Sequence, residues 1–269
     1  MNRESLFRSV SVIDTETTNL HAEEAEIVEV AASTYNGSQW QSADMLLGAK
    51  DGIPPEASAK NNISNRMIAD KPLFANAIPD VENILRWPTA TYWVAHNAPY
   101  DQEVLAKAWL EVGRQKDAMI ALNKKRWICT FRLAKHLLDF DFPNMQYNLS
   151  FLRYKLELPV PDDMGVHRAG ADTLVCAALF ELLVDYALAT DRVTDSPDLG
   201  TQINQLCWSP IAIKNFPFGK YRGKPLAEIP NDYYKWALAN LDSLNDTKKE
   251  YDEDLASSIA VELERRFAE

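Results

Sequence analysis

The run Val10-Ser11-Val12-Ile13-Asp14-Thr15-Glu16 is an apolar stretch that ends in two acids separated by one residue. Residues two apart on an extended strand project from the same face, so Asp14 and Glu16 aim two carboxylates at one point where the strand reaches the surface. Converging carboxylates repel unless a cation lies between them. Carboxylate oxygens are the ligands that Mg2+ and Mn2+ prefer, so a divalent metal is the natural occupant. Alone, the pair also fits a plain strand followed by an Asp/Thr turn, and further segments decide between the two.

Working outward, residues 9–13 read as a buried strand and residues 25–35 as a second, rich in Ile27, Val28, Val30, Ala31 and Ala32. Asn36-Gly37 is a hairpin turn signal, which makes the second strand and a third over roughly 40–47 antiparallel neighbours. The Pro- and Asn-rich residues 52–65 read as an ordered loop over one edge of a site. Apolar spacing predicts a helix over 73–85, closed by Trp87-Pro88. Residues 91–95 form a short buried strand that runs into His96-Asn97-Ala98-Pro99-Tyr100-Asp101. Pro99 suits the first turn of a helix continuing through Val104, Leu105 and Trp109, and this sets Asp101 in the opening turn, where the helix dipole favours an anion.

Two further helices are predicted over 131–138 and 149–156, with a loop over 139–146 between them. After the Pro-rich residues 159–165 comes Val166-His167-Arg168-Ala169-Gly170-Ala171-Asp172, and then a long apolar-striped helix over 171–188. His167 and Asp172 would lie about 140° apart on one helix. They converge only if His167 sits on the loop before the helix and Asp172 on its second turn.

Composition bounds the function. The 269 residues, 46% apolar, suffice for one large domain or for an ordinary domain with an appendage. A net charge of -11 argues against non-specific coating of nucleic acid, which rests on Lys and Arg neutralising phosphates. A metal-centred site escapes that limit, because bound cations dominate the local field. Cys129, Cys176 and Cys207 are odd in number and form no C-x-x-C pair, which implies a reducing compartment and no structural zinc. With acidic Glu4 ahead of only a short apolar run and no long apolar stretch, the expectation is a soluble, cytoplasmic protein without a membrane partner.

Three acid-bearing segments, D-x-E, H-N-x-x-Y-D and H-x-A-x-x-D, each fall where a strand or loop meets the end of an element. In Asp14-Thr15-Glu16-Thr17-Thr18, His96-Asn97-Ala98-Pro99-Tyr100-Asp101 and His167-Arg168-Ala169-Gly170-Ala171-Asp172 the chain resembles the DnaQ-like, or DEDD, 3′ to 5′ exonuclease superfamily over about residues 7–190. Ile53-Pro54-Pro55-Glu56 and Asn62-Ile63-Ser64 resemble that family's connecting loop. Four residues between His167 and Asp172 match the His subclass; the Tyr subclass would place tyrosine where Arg168 stands. The resemblance implies an α/β, RNase H-like fold with a mixed five-stranded sheet flanked by helices.

Phosphodiester hydrolysis needs an attacking hydroxide, stabilised phosphoryl oxygens and relief of charge on the leaving 3′ oxygen, needs that two divalent metals meet together. By resemblance the cofactors are two divalent cations, Mg2+ or Mn2+. Asp14 bridges both, Glu16 and Asp172 complete the site of the ion that activates water, Asp101 holds the second, and His167 is the general base. A helix N-terminus beside cations keeps an imidazole neutral and able to accept a proton. The resemblance also points to Thr15, Thr17 and Asn97 as contacts of the terminal nucleotide. Leu20 stands where relatives place an apolar side chain against the terminal base, although a loop residue capping the core fits Leu20 equally.

Residues 1–190 thus read as the nuclease domain, 191–209 as a linker and 210–269 as a small basic and aromatic module with a terminal helix. Between residues 199 and 227 stand Lys214, Lys220, Arg222 and Lys224 with no Asp or Glu, a local charge of +4. Interleaved with Phe216, Phe218 and Tyr221, they suit a strand that stacks on bases and neutralises phosphates, with Lys220 and Arg222 as candidate contacts. A Gly-turn hairpin with solvated lysines fits as well. The F-G-K-Y-x-G-K-P element resembles a module appended to exonuclease X-like members of the superfamily. A helix is predicted over 232–241, and the acidic, amphipathic residues 242–269 suit a helix closing the module or meeting a partner.

The expected function is a metal-dependent 3′ to 5′ exodeoxyribonuclease that releases mononucleotides from DNA 3′ ends, single- or double-stranded, in DNA repair. RNA trimming by an exoribonuclease uses the same motifs. A nucleic-acid-binding or partner-binding adaptor that keeps the fold without the chemistry is a reading of another class, and the presence of every motif acid speaks against it.

Overall fold

The computed structural model describes residues 2–138, 147–160, 168–248 and 250–268, which divide into two compact units, one running to Trp208 and the other beginning at Ser209. The loop expected over 139–146, most of the Pro-rich stretch and His167 lie outside the described residues. In the first unit α1 (Arg3–Ser9), capped by the Asn2 side chain, delivers the chain into β1 (Val10–Thr17), followed by β2 (Ile27–Tyr35) and β3 (Trp40–Leu46). Next come α2 (Pro55–Asn61), α3 (Asn65–Ile68), α4 (Ile78–Leu85), β4 (Tyr92–Ala95), α5 (Ala98–Glu111), α6 (Gln115–Ala121) and β5 (Trp127–Cys129). The unit closes with α7 (Thr130–Leu137), α8 (Leu149–Lys155), α9 (Ala169–Ala189) and α10 (Leu199–Trp208).

The five strands form one mixed sheet in the order β3-β2-β1-β4-β5. β1 runs antiparallel to β2, and β2 to β3 through the Asn36-Gly37 turn, with Gly37 at φ +105°. β4 and β5 are parallel additions on the other side of β1. β1 is central because Val10, Val12 and Ile13 have 0% exposure and a run apolar on both faces belongs inside a sheet covered by helices. α9 lies across β1, β2 and β3 and buries Val175, Leu179, Phe180 and Leu183, each worth about 1.5–3 kcal/mol when fully removed from water. Trp87 stacks on Trp93 at 4.2 Å and on Trp109 at 5.6 Å.

Several expectations are corrected. The first strand extends to Thr17, so Asp14 and Glu16 lie within it, and a bulge follows between Glu16 and Thr17. Residues 52–65 contain α2 and the start of α3 rather than loop alone. The helix expected over 73–85 is a 3-10 turn, Phe74–Asn76, followed by α4, because Pro79 occupies the first turn of a new helix where a missing N–H is harmless. α1, α6 and the three-residue β5 had no counterpart in the periodicity; β5 is too short to show alternation.

The stretch read as a linker over 191–209 contains α10, whose Leu199, Ile203 and Cys207 are buried. Its polar residues misled the reading. Asn204 is itself mostly buried and donates to the Trp127 and Lys124 carbonyls at 2.6 and 3.0 Å, so it docks the helix against β5 rather than facing water.

In the second unit the backbone forms a small hairpin: Phe216 N–H donates to Lys224 O, Gly223 N–H to Phe216 O and Leu226 N–H to Lys214 O, at 2.8–2.9 Å. A 3-10 turn, Gly219–Tyr221, lies between its arms. α11 (Asn231–Asn240) and α12 (Glu253–Ala268) complete a separate core of Phe216, Leu226, Ile229, Tyr234, Ala237, Leu244, Leu255 and Ile259. Phe216 is fully buried, so it packs the module and does not stack on bases. Among the described residues no helix is long and apolar enough to cross a membrane.

Candidate active site

β1 supplies Asp14 and Glu16, and the first turn of α9 supplies Asp172, one turn earlier than expected because α9 begins at Ala169. Carboxylate oxygens of these three residues lie within 4.8 Å of one another. Asp101 comes from the first turn of α5, where β4 ends, and is only 3% exposed. The Thr15 hydroxyl donates to Asp101 Oδ1 at 2.8 Å. Thus the residue between the two β1 acids orients the carboxylate of the third.

Burial and mutual repulsion lift the acids together. Asp14 is pushed well above the ordinary carboxylate range, first by desolvation and then by the charges of Asp101, Glu16, Asp172 and Glu29. Desolvation, followed by Asp172, Glu29 and Asp101, carries Glu16 to about 7, against a small opposing pull from Lys60 on α2. Desolvation raises Asp101 to about 7 despite the Thr15 hydrogen bonds. Among the described residues this is crowded negative charge with carboxylate oxygens as the donors, a set that suits a hard divalent cation.

The start of α9 is pinned to the sheet by polar contacts. Arg168 forks onto the fully buried Glu29 of β2, with Nη2 at 2.6 Å and Nε at 3.2 Å from the carboxylate, and the Ala169 N–H donates to the same group at 3.1 Å. Ser42 of β3 donates to Gly170 O at 3.0 Å. A Cβ on Gly170 would stand 3.0 Å from Asp44 Oδ1, so glycine permits this close approach. These contacts set where Asp172 falls relative to Asp14 and Glu16.

The remaining expected contacts divide. Thr17 bonds the Asn19 carbonyl at 2.9 Å and the Tyr100 hydroxyl at 2.5 Å. Asn97 is the N-cap of α5 in the left-handed region at φ 72°, and its side chain makes no cap hydrogen bond. Leu20 is 71% exposed just after β1, which removes the core-capping alternative. Lys220 and Arg222 are exposed on the second unit. His96 is structural, its ring held by Thr130 Oγ1 at 2.9 Å and the Tyr147 carbonyl at 2.8 Å.

Sequence reading missed Tyr100, whose hydroxyl ties Thr17 to the Asn19 carbonyl beside Glu16. It also missed Lys60 and the Glu29–Arg168 fork. A lone acid inside the apolar run Ile27-Val28-Glu29-Val30 was the available signal, since a carboxylate there needs a partner.

An open mixed sheet that gathers four acids at the ends of β1, α5 and α9 defines a carboxylate-centred nuclease domain. Residues 11–180 match the exonuclease family model named for RNase T, and the chain belongs to this exonuclease family. Exodeoxyribonuclease 10 of Escherichia coli K12 is 29% identical over 240 residues, 87% of this chain and 92% of the relative. The DNA polymerase III subunit epsilon of Treponema pallidum is 31% identical over 183 residues, 65% of this chain and 75% of that subunit. Exonuclease X in complex with 5′ overhanging duplex DNA matches with a TM-score of 0.53 at 27% identity, over 74% of this chain and 99% of that one. Escherichia coli Exonuclease I in complex with a dT13 oligonucleotide shares the fold, with a TM-score of 0.55 at 15% identity over 68% of this chain and 42% of that one. A second family model, named for a quorum-sensing-regulated virulence factor, matches residues 204–240. The fold is RNase H-like, and the protein is an exonuclease of the DnaQ and exonuclease X type, a phosphodiester hydrolase.

Proposed function

We propose that this chain is a 3′ to 5′ exodeoxyribonuclease that uses two divalent cations, Mg2+ or Mn2+, to release mononucleotides from DNA ends. One observation carries this reading: Asp14, Glu16 and Asp172 bring carboxylate oxygens within 4.8 Å of one another from two separate elements, in a chain related along most of its length to an exodeoxyribonuclease. In this reading Asp14, Glu16 and Asp172 would hold one ion, and Asp101 with Asp14 would hold a second. The chemistry such ions supply is stabilisation of the charge that builds on the phosphoryl and leaving oxygens.

The chain's own groups do the rest. Thr15 keeps the Asp101 carboxylate oriented through its hydroxyl. His167 takes the proton from the attacking water as general base, and the Glu29–Arg168 fork fixes the backbone one residue after it. The Thr15 and Thr17 backbone and the uncommitted Asn97 amide receive the terminal nucleotide, while exposed Leu20 offers apolar surface to its base.

A 5′-labelled DNA oligonucleotide should shorten stepwise in Mg2+ or Mn2+, a 3′ label should appear at once as mononucleotide, and EDTA should stop both. RNA run in parallel decides sugar preference. Shortening from the 5′ end, or binding without cleavage in either metal, would overturn the proposal. His167→Ala should keep DNA binding and lose most turnover, and near-normal hydrolysis by it would remove that residue's role.

A further inference from the structure

The second unit carries an aromatic row that runs from the edge of its core, where half-buried Tyr221 and Tyr233 pack, out to the surface. On α11 Tyr234 is 1% exposed and fills that core, whereas Trp236 is 49% exposed. Tyr233 and Trp236, three residues apart, share a helix face, and their ring centroids are 5.3 Å apart with planes tilted by 33°. Tyr221 of the 3-10 turn meets Tyr233 edge-on at 4.6 Å. The three rings therefore join α11 to the Gly219–Tyr221 turn in one continuous surface. That turn favours glycine, since Gly219 lies in the left-handed region at φ +63°.

The same turn presents cations. Lys220, Arg222 and Lys224 are all exposed, and Lys220 Nζ stands 5.3 Å from the Tyr221 centroid. No acid occurs between residues 199 and 227 of a chain whose net charge is -11. An exposed indole backed by two half-buried tyrosine rings, beside a concentrated positive charge, matches what a single strand offers: bases that stack on rings and a phosphate backbone that follows Lys and Arg. A partner docking through apolar side chains alone would leave the cations without a role.

We propose that Tyr221, Tyr233 and Trp236, with Lys220, Arg222 and Lys224, form a binding platform for single-stranded DNA on the second unit. The choice of DNA as ligand rests on the exodeoxyribonuclease reading; the platform itself rests on exposed Trp236, the tyrosine rings that adjoin it and the charge. It moves the stacking surface from the hairpin, where Phe216 is buried, to α11.

The test uses the full chain in EDTA, with fluorescence anisotropy of a labelled oligo(dT) across a salt series. Trp236→Ala should weaken binding by roughly tenfold or more, as the loss of one stacked base does, and Trp236→Phe should restore most of it. Replacing Lys220, Arg222 and Lys224 together by Ala should lower the salt-dependence slope by about 2, the value for three phosphate contacts on a single strand. Unchanged affinity in Trp236→Ala, failure of Trp236→Phe to rescue, or an unchanged slope in the triple variant overturns the platform. Hydrolysis of a nucleoside 5′-monophosphate p-nitrophenyl ester by the wild-type chain in Mg2+ is scored separately. Its absence alongside intact oligo(dT) binding removes the nuclease reading and leaves the platform standing.

Discussion

Arg168→Ala isolates the contact that positions α9. Glu29 has 0% exposure, and Arg168 supplies all its side-chain partners, at 2.6 and 3.2 Å. The variant strands a buried carboxylate with one remaining donor, the Ala169 N–H at 3.1 Å. Removing one partner of a buried ion pair costs about 3–5 kcal/mol. The lower end applies, because the Arg168 side chain is 36% exposed and water can reach the vacated space. About 3 kcal/mol corresponds to a fall in Tm of roughly 6–12 °C for a unit of this size. Glu29→Gln should cost far less, about 1 kcal/mol, since the amide oxygen still accepts and the arginine can turn to solvent.

The assay is thermal unfolding followed by tryptophan fluorescence, which reports mainly the first unit because six of the seven tryptophans lie before Ser209. A fall in Tm below about 2 °C for Arg168→Ala, or a larger loss for Glu29→Gln than for Arg168→Ala, would refute the reasoning.

Two other outcomes follow from the electrostatics. Burial holds the His96 pKa near 4, below its unfolded value of about 6.5, so the unfolded chain binds the extra proton first. This contribution to stability is complete above about pH 6.5 and is lost as pH falls toward 4, on the order of 3 kcal/mol. Tm measured from pH 7.5 to 4.5 should drop more steeply for wild type than for His96→Gln, and parallel curves would refute the assignment. Asp14→Asn should abolish metal-dependent hydrolysis, yet raise Tm in EDTA, because it relieves repulsion among oxygens packed within 4.8 Å. A lower Tm for that variant in EDTA would show that the acids do not destabilise one another.

Much of the site could be read in the chain because each acid stands at an element end marked by short-range signals. Alternation places Asp14 and Glu16 on one face of β1, and Pro99 marks the turn that carries Asp101. Asn36-Gly37 announces the β2–β3 hairpin. Misses share one cause, which is that their determinants are distant in sequence. α10 reads as linker until Asn204 finds the carbonyls of Lys124 and Trp127, and β5 is a strand only because β4 lies beside it. In the second unit, the choice of Tyr234 for the core and Trp236 for the surface depends on which face of α11 meets Phe216 and Leu255.

By itself, the order of residues determined the element types around the acids, the antiparallel hairpin and the carboxylate donors, because periodicity, turn chemistry and ligand identity are local properties. Only the tertiary structure decided that β1, α5 and α9 point their acids at one place, that Thr15 orients Asp101 and that Glu29 anchors Arg168. Those are distances between groups 86 and 139 residues apart, and only packing of the whole sheet and its covering helices sets such distances.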